Sequence, residues 1–555
     1  MKKIKIGILI KEFDRLSNWE LRIINKIIED EFLELSLLIK DGRKKPKNHK
    51  SFFYKFKRLF NSANFFGNIL FKFQYFIEKE IFKNRFPNYK NHLKNRLNNI
   101  PSINLYPLKK GYSDIFNKSD YNLIKGYDLD IILRHEFGII KGPILNSAKY
   151  GIWSFHHGDN SINRGKPVAF WEIIENKSTI GVTLQQLTSE LDGGLIIDKA
   201  FFNRHWSVFK STNQVFEASV SLLFKNINKI KGGVYEPKKS MVYYNRLYRL
   251  PSFYYTSKYL LKFYSKILNI FFNQIAFIFF GIRNNCWTIF IGKGDFLNAS
   301  LFRLDPIKLP KNEFWADPFI FDYKNEKYVF FENYEYDIKK GKISCGVIKN
   351  NKLINIKDVL NLDYHLSYPH IFTHNDDIFL MPESHCNNQL EIYRCKSFPD
   401  EWELYSTAFH GEKIIDPTFY EDVSGNKWLF INKIENSIIE SASNELFIYK
   451  IDSLKLKNIK AHKQNPVIIN SKKARNAGPI FKYNSNIYRP SQCNIDGVYG
   501  RALSINIINK LTIDEYEEKN ELTVFPNFKK GLVSMHHLHQ SDNYFVFDAA
   551  YKSKF

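Results

Sequence analysis

Apolar residues along the chain follow two regimes. Up to about residue 245 they alternate between strand-like runs and helical periods. Ile4–Ile10 reads as a first strand, and Leu21, Ile24, Ile27 and Ile28 recur at a helical spacing around Glu20–Ile28. Phe32–Ile39 predicts a second strand, and Asp128–Arg134 (DLDIILR) predicts another, followed by a short helix over Ile144–Lys149. Ile152–Phe155 predicts a short buried strand. Phe170–Glu175 follows as a helix, Ile180–Gln186 as an alternating strand and Leu195–Ile197 as a further apolar run. Lys199–His205 and a helix near Val215–Ile230 close this part. No G-x-G-x-x-G follows the first strand, so a dinucleotide fold is not indicated.

From about Cys286 the pattern changes to short strands carrying a repeat. Trp315–Phe321 (WADPFIF), Tyr368–Phe372 (YPHIF), Asp416–Tyr420 (DPTFY) and Gly478–Phe481 (GPIF) are its four copies. Pro318, Pro369, Pro417 and Pro479 step by 51, 48 and 62 residues. Each copy precedes a second apolar run: Tyr328–Phe331, Ile378–Met381, Lys427–Ile431 and Ile487–Pro490. About four strands per unit predicts propeller blades. A fifth blade would combine Gly531–Ala550 with an opening strand, Trp287–Ile291. The expected organisation is an α/β open-sheet domain over 1–245, linker helices over 246–285 and an all-β five-bladed propeller over 286–555.

Two segments break these patterns. In Arg43–Leu97 lysines and arginines interleave with Phe and Tyr, and Glu78 and Glu80 are nearly the only acids. The segment predicts a helical insertion packed on its own domain. The alternative is an interfacial membrane helix, since it is too charged to span a bilayer. Ile267–Ile282 is apolar but broken by Asn269, Asn273 and Gln274. It predicts a linker helix buried against both domains, with an in-plane membrane helix as the alternative.

At 555 residues and 44% hydrophobic content the chain holds two or three packed domains. The net charge of +24 is in part a general lysine-rich background and in part an attraction for anionic partners. No arginine-rich tract or aromatic RNA-reading motif points to nucleic acid. The five cysteines contain no C-x-x-C pair, which argues against zinc and suits reduced thiols in the cytoplasm. MKKIKIGILIKEF carries an apolar run too short for a signal-peptide core. The expected location is cytoplasmic, with the inner face of the membrane as an extension of it.

Polar chemistry concentrates in Gly151–Ala200. His156 ends a strand, Arg164-Gly165-Lys166-Pro167 is a basic turn, and Asp192-Gly193-Gly194 is a tight turn before another apolar run. This stretch resembles the 10-formyltetrahydrofolate-dependent formyltransferases, which include methionyl-tRNA and sugar N-formyltransferases. Their pattern is N-x-H-x-S-L-L-P-x-[YW]-R-G-x-x-P, then T-G-V-T, then D-x-G. His156, Arg164-Gly165, Gly181-Val182-Thr183 and Asp192-Gly193-Gly194 match it, with 36 residues from His156 to Asp192. Ser154 replaces the family's asparagine, and Gly158-Asp159-Asn160-Ser161 replaces S-L-L-P.

The resemblance implies formyl transfer from 10-formyltetrahydrofolate to an amine. His156 would carry the proton or support the oxyanion, and Asp192 would orient it. Ser154 would donate a weaker hydrogen bond where the family uses an amide, with Asn160 as a substitute donor. Arg164 and Lys166 would meet anionic parts of a substrate. His135 and Glu136 either approach the site or form a solvated pair.

The second half resembles the five-bladed propellers of arabinanase- and levansucrase-like enzymes. Its D-P-x-x-F and M-P-E-S signatures also resemble the propeller-like domain of plant glucosamine inositolphosphorylceramide transferases. The resemblance implies carboxylates at the inner strands, here Asp317, Glu383 and Asp416. They would either cleave glycan as an acid–base pair or hold it without cleavage. Arg475, Arg489 and Arg501 are candidate anion binders in the funnel, or plain surface arginines. His536, His537 and His539 are expected as core or funnel lining, with no metal predicted. The two resemblances together imply an amino-sugar acceptor in surface-glycan biosynthesis, nucleotide- or lipid-linked. The rival readings are a glycan-active propeller beside a degenerate formyltransferase domain, and a non-catalytic glycan-binding protein.

Overall fold

The structure is a computed structural model and describes residues 3–10, 12–43, 64–82, 89–190, 193–239, 242–434 and 444–554. It forms two compact units. One comprises Met1–Ala200 and Arg204–Tyr264, the other Phe201–Asn203 and Ser265–Phe555.

The first unit is built on a seven-stranded sheet. Its elements in chain order begin with β1 (Ile4–Ile10), α1 (Asn18–Glu29), β2 (Leu33–Asp41), α2 (Phe65–Ile81), α3 (Tyr89–Leu97) and β3 (Ser102–Leu105). A small three-stranded sheet follows from β4 (Leu108–Lys110), β5 (Ser113–Ile115) and β7 (Ile139–Lys141), with α4 (Lys118–Lys125) and β6 (Ile131–Arg134) between them. Then come β8 (Ile152–His156), β9 (Arg164–Gly165), α5 (Phe170–Ile174), β10 (Thr179–Gln186), β11 (Leu195–Asn203), α6 (Val208–Lys231), β12 (Leu247–Tyr248) and α7 (Phe253–Phe280). The main sheet runs β11-β10-β8-β6-β1-β2-β3. Strands β8, β6, β1, β2 and β3 are parallel, and β10 turns antiparallel against β8. Ile6, Ile8 and Leu9 are fully buried, as a central parallel strand covered on both faces requires. The strand order reverses beside β1, so the carboxyl ends of β1, β6 and β8 frame the crevice where such sheets bind ligands.

The predicted insertion is helical where it is described, as α2 and α3; residues 44–63 and 83–88 lie outside the described residues. Glu78 of α2 locks it to the domain. This fully buried carboxylate accepts from the Ser207 hydroxyl at 2.6 Å and the Phe209 amide at 3.0 Å, at the N-terminus of α6. An anion there meets unpaired N–H groups and the positive end of a 24-residue helix.

The second unit is a five-bladed propeller. Four blades are antiparallel sheets: those that begin at Glu313, Ser367 and Phe481 have four strands, and the one that begins at Ile414 has five. The fifth joins the ends of the unit. Arg283–Lys293 pairs antiparallel with Tyr544–Lys554, whose other edge takes Leu532–Ser534 and Leu538–Gln540. Pro318, Pro369 and Pro417 sit in the inner strands of their blades, and Pro479 lies two residues before its own. Register shifts fall between Ala316/Phe319, Ser367/His370 and Ile415/Thr418. The residue before each proline is left-handed: Asp317 (φ 50°), Tyr368 (φ 46°), Asp416 (φ 44°) and Gly478 (φ 127°). The repeat is therefore a bulge that turns one residue per blade out of the ladder.

One expectation fails. The linker is a single 28-residue helix, α7, in which only Thr256, Tyr259 and Phe263 are buried. Its apolar content reflects an uncovered surface rather than a core position.

Core histidines give the propeller an acid limit. Burial between Phe319 and Phe372 pushes His370 down to about 3, and burial with three neighbouring histidines pushes His537 well below its ordinary value. The unfolded chain binds the His370 proton near pH 6.5, whereas the folded chain refuses it until about pH 3. Its stabilisation is thus complete above pH 6.5 and lost as pH falls toward 3. Denaturant unfolding at pH 7 and pH 4.5 is expected to show a smaller pH-dependent loss in His370→Leu than in the unsubstituted protein.

Candidate functional site

The first unit's site is the loop that leaves β8. Three of the matched motif positions are explained by how that loop is held. A Cβ on Gly181 would lie 2.8 Å from the Asp159 backbone N, so only glycine lets the loop lie on β10. The Thr183 hydroxyl then donates to the Gly158 carbonyl at 3.0 Å and accepts from the Asn160 amide at 3.3 Å. Gly165 has φ 139°, and a Cβ there would lie 1.9 Å from the Tyr248 carbonyl oxygen of β12. Asp159 fixes the loop's outer side. Burial pushes its carboxyl up, but Lys199 at 2.5 Å and the Ser161 hydroxyl at 2.6 Å outweigh that and hold it low.

Within this frame Arg134, Ser154 and His156 share one face of the sheet, since Arg134 pairs with Ser154 and His156 lies two residues on. Arg134 Nη1 donates to the Ser154 hydroxyl at 2.9 Å, and its Nε and Nη2 hold the Phe137 carbonyl. His156 Nε2 lies 2.7 Å from the Asn163 carbonyl oxygen. A carbonyl only accepts, so Nε2 carries a hydrogen. The Asn160 side chain is buried, and neither its Oδ1 nor its Nδ2 has a partner among the described residues. Behind it Asn163 Nδ2 donates to Glu172 Oε1 at 3.0 Å, and burial raises the Glu172 carboxyl. An orphaned buried amide costs about 1–3 kcal/mol, which marks Asn160 as a group built to meet a ligand.

The remaining predicted residues fall as follows. Asp192 lies outside the described residues. Arg164 donates from Nε to the Asn160 carbonyl at 3.0 Å and lies over the Tyr243 ring, so it braces the loop. Lys166 is exposed. His135 Nδ1 lies 3.3 Å from Glu20 Oε1, with its ring edge-on to Trp19. Glu136 has a buried Oε2 without a partner among the described residues. His157 is ringed by Trp19, Phe155 and Phe216, and burial pushes it down to about 3, a neutral core residue. Arg134 and Glu172 went unremarked in the sequence. A charge closing an otherwise apolar strand was the available signal for the first.

The second unit gathers five carboxylates around its axis. The Asp317 amide donates to Asp548 Oδ2 at 2.9 Å, and Asp317 Oδ2 accepts the Tyr368 amide at 3.3 Å. The Asp416 amide donates to Glu383 Oε2 at 3.1 Å. Asp416 Oδ2 accepts Arg475 Nε at 2.6 Å and Gln492 Nε2 at 3.3 Å. Glu383 Oε1 lies 2.6 Å from His385 Nδ1, and Glu332 Oε1 lies 3.5 Å from His365 Nε2. Burial pushes Asp317 up to about 7 and raises Glu332 and Asp416 well above the usual range. Burial works on Glu383 in the same direction, but His385 and Arg475 outweigh it and hold it at about 2. One funnel thus holds carboxyls shifted in opposite directions side by side.

The other funnel candidates separate. Arg475 belongs to the cluster. Arg489 does not: it is buried in a pair with Glu518 at 2.8 and 3.0 Å and also bonds the Lys473 carbonyl, so it is a structural tie of its blade. Arg501 bonds the Val533 carbonyl. His536 stacks on Trp287 and donates from Nδ1 to Asp548 Oδ1 at 2.8 Å, while His539 accepts the Ile320 amide. Asp317, His536 and Asp548 bring potential metal-ligand atoms within 4.8 Å of one another. Asp548 also accepts the amides of Asp317, His536 and His537.

Comparison with known proteins assigns a relative to each half. Residues 305–543 match the family model for glucosamine inositolphosphorylceramide transferase 1, N-terminal. The corresponding protein of rice (Oryza sativa subsp. japonica) is 34% identical over 228 residues, which are 40% of this chain and 30% of that one. A methionyl-tRNA formyltransferase of Bacillus cereus (strain B4264) is 28% identical over 138 residues, 24% of this chain and 42% of that one. Among solved structures, a 4-N formyltransferase from Francisella tularensis aligns over 44% of this chain and 76% of its own. The identity there is 16% and the TM-score 0.28. The chain therefore spans less than half the length of these curated relatives, and both halves are similar to parts of transferases.

Gly181→Ala tests the loop's anchorage. The added methyl group forces residues 158–160 off β10, and overpacking of this kind costs about 1–3 kcal/mol. Hydrogen exchange is expected to speed up at the Asn160 amide while the β1 amides stay protected.

Proposed function

We propose that the first unit transfers a formyl group from 10-formyltetrahydrofolate to the amine of a nucleotide- or lipid-linked amino sugar. The observation that carries this reading is the buried, unpartnered Asn160 amide on the loop that follows His156. The donor supplies an activated formyl carbon. This chain's residues supply the rest. His156 carries the proton that the attacking amine must lose. Asn160 Nδ2, and the Ser154 hydroxyl held by Arg134, donate to the oxygen that gains charge. Atoms balance: the amine nitrogen bonds the formyl carbon, the carbon–nitrogen bond of the donor breaks, and the amine's proton ends on the departing nitrogen. Asp192, on the matched D-x-G turn, is assigned the orienting role. The sugar acceptor rests on the glycan-transferase likeness of the second half. Five cysteines free of disulfides fit a cytoplasmic setting.

A second reading places glycan chemistry in the propeller, because Glu383 is held ionised while Glu332 and Asp416 are held protonated in one funnel. A glycosyl-transfer or cleavage step needs that split.

The two readings part in one experiment. The purified protein is incubated with 10-formyltetrahydrofolate and a panel of nucleotide-linked amino sugars, and product mass is read together with free tetrahydrofolate. Under the first reading one acceptor gains a formyl group. Asn160→Ala then lowers the rate about 100- to 1000-fold, His156→Ala about 100- to 10,000-fold, and Asp317→Asn leaves it intact. Absence of turnover on every acceptor, with glycan turnover lost in Asp317→Asn and Glu332→Gln but kept in His156→Ala, would replace the first reading by the second.

A further inference from the structure

Helices α2 and α7 present apolar surface that no element among the described residues covers. They cross at Gly67, where a Cβ would lie 2.3 Å from the Phe253 backbone N. Thr256 Oγ1 donates to the Gly67 carbonyl, and Tyr264 donates to Gln74 Oε1 at 3.1 Å. This contact uses one stripe of α7: Thr256, Tyr259 and Phe263. The adjacent arc carries Tyr264, Leu268, Phe271, Phe272, Ile278 and Phe279, every one of them exposed. At 100° per residue these six fall within about 120° of one another. Lys258, Lys266, Asn269 and Asn273 lie on the opposite stripe, and Lys262 between them is tied to the Ile173 and Ile174 carbonyls. Phe66, Ile69, Phe73 and Phe76 line up on α2 in the same way and are also exposed.

We propose that this pair of helices seats the protein on an anionic lipid bilayer, with the uncovered half of α7 lying in the interface. Charge selects the occupant. Between Glu236 and Asp295 the sequence has nine lysines and arginines and no acid, which a protein partner would have to match residue by residue and an anionic headgroup layer matches anywhere. Length selects the disposition. All of α7 is long and apolar enough to cross a membrane, but its first half is fastened to α2. The uncovered apolar stretch, residues 267–280, is about 21 Å long, short of the roughly 30 Å hydrocarbon core. An aromatic-rich helix with basic residues along its other stripe lies in the plane instead.

Flotation with vesicles tests this. The full chain is expected to float with vesicles containing 30 mol% (roughly, a physiological anionic load) phosphatidylglycerol and to remain below with pure phosphatidylcholine. Combined Lys258→Glu and Lys266→Glu is expected to weaken anionic-vesicle partitioning about tenfold or more. Combined Phe271→Ser, Phe272→Ser, Ile278→Ser and Phe279→Ser, all on exposed positions, is expected to abolish it with the unfolding midpoint unchanged. Equal partitioning onto neutral vesicles would overturn the charge selection. No flotation, with a dimer in light scattering that the serine variant dissolves, would assign the surface to a second copy of this chain and overturn the proposal.

Discussion

Five sheets closed around an axis leave the innermost strand of each blade with N–H groups that no sixth strand can reach. Buried donors of this kind must find acceptors. The propeller answers with side chains from the second strand of the preceding blade: Asp548 takes the Asp317 amide, Glu383 the Asp416 amide and Asn432 the Asn476 amide. Two of these three acceptors are carboxylates. The device that closes the ring therefore also concentrates negative charge at its centre, and the bulge before each repeat proline adds Asp317 and Asp416 to it. Burying so many like charges together is unfavourable, and the funnel relieves it by keeping some of them protonated and by setting Arg475 against Asp416 and Glu383.

The same economy shapes the first unit. Its sheet turns antiparallel at β10, laid against β8, and the loop between them folds back over β10. Gly181 makes the approach sterically feasible and the Thr183 hydroxyl fastens it. Anchored in this way, the loop can bury an asparagine whose amide has no partner among the described residues. Polar burial without a partner is tolerated where the fold around it is over-determined, which is the condition a preorganised site also needs.

Legibility in the sequence followed the same physics. The strands and helices around β1, α1 and β8 were visible because their periods are set by burial. The blades were visible because a proline after a left-handed residue leaves a signature at every repeat. The glycines at 165 and 181 were legible as motif, though only the backbone shows why no Cβ fits. Arg489 was misread because a basic residue beside a proline does not announce a partner 29 residues away, Glu518. Arg134 was passed over because a strand period hides which face its last residue joins. The linker was misjudged for a deeper reason. An apolar run says that water is avoided, and it does not say whether protein or lipid replaces it.

That ambiguity bears on how the two charge systems of the molecule coexist. The chain carries +24 overall, yet its propeller axis is acidic. Cationic surface raises the local concentration of anionic partners over a Debye length of about 8–10 Å, whereas the buried carboxyls act only on groups that enter the funnel. A nucleotide- or lipid-linked amino sugar has both characters, an anionic carrier and a cationic amine. A basic exterior would gather the carrier, and an acidic or proton-accepting interior would sort the amine. The composition that first reads as a lysine-rich background is, on this argument, complementary to the proposed substrate class.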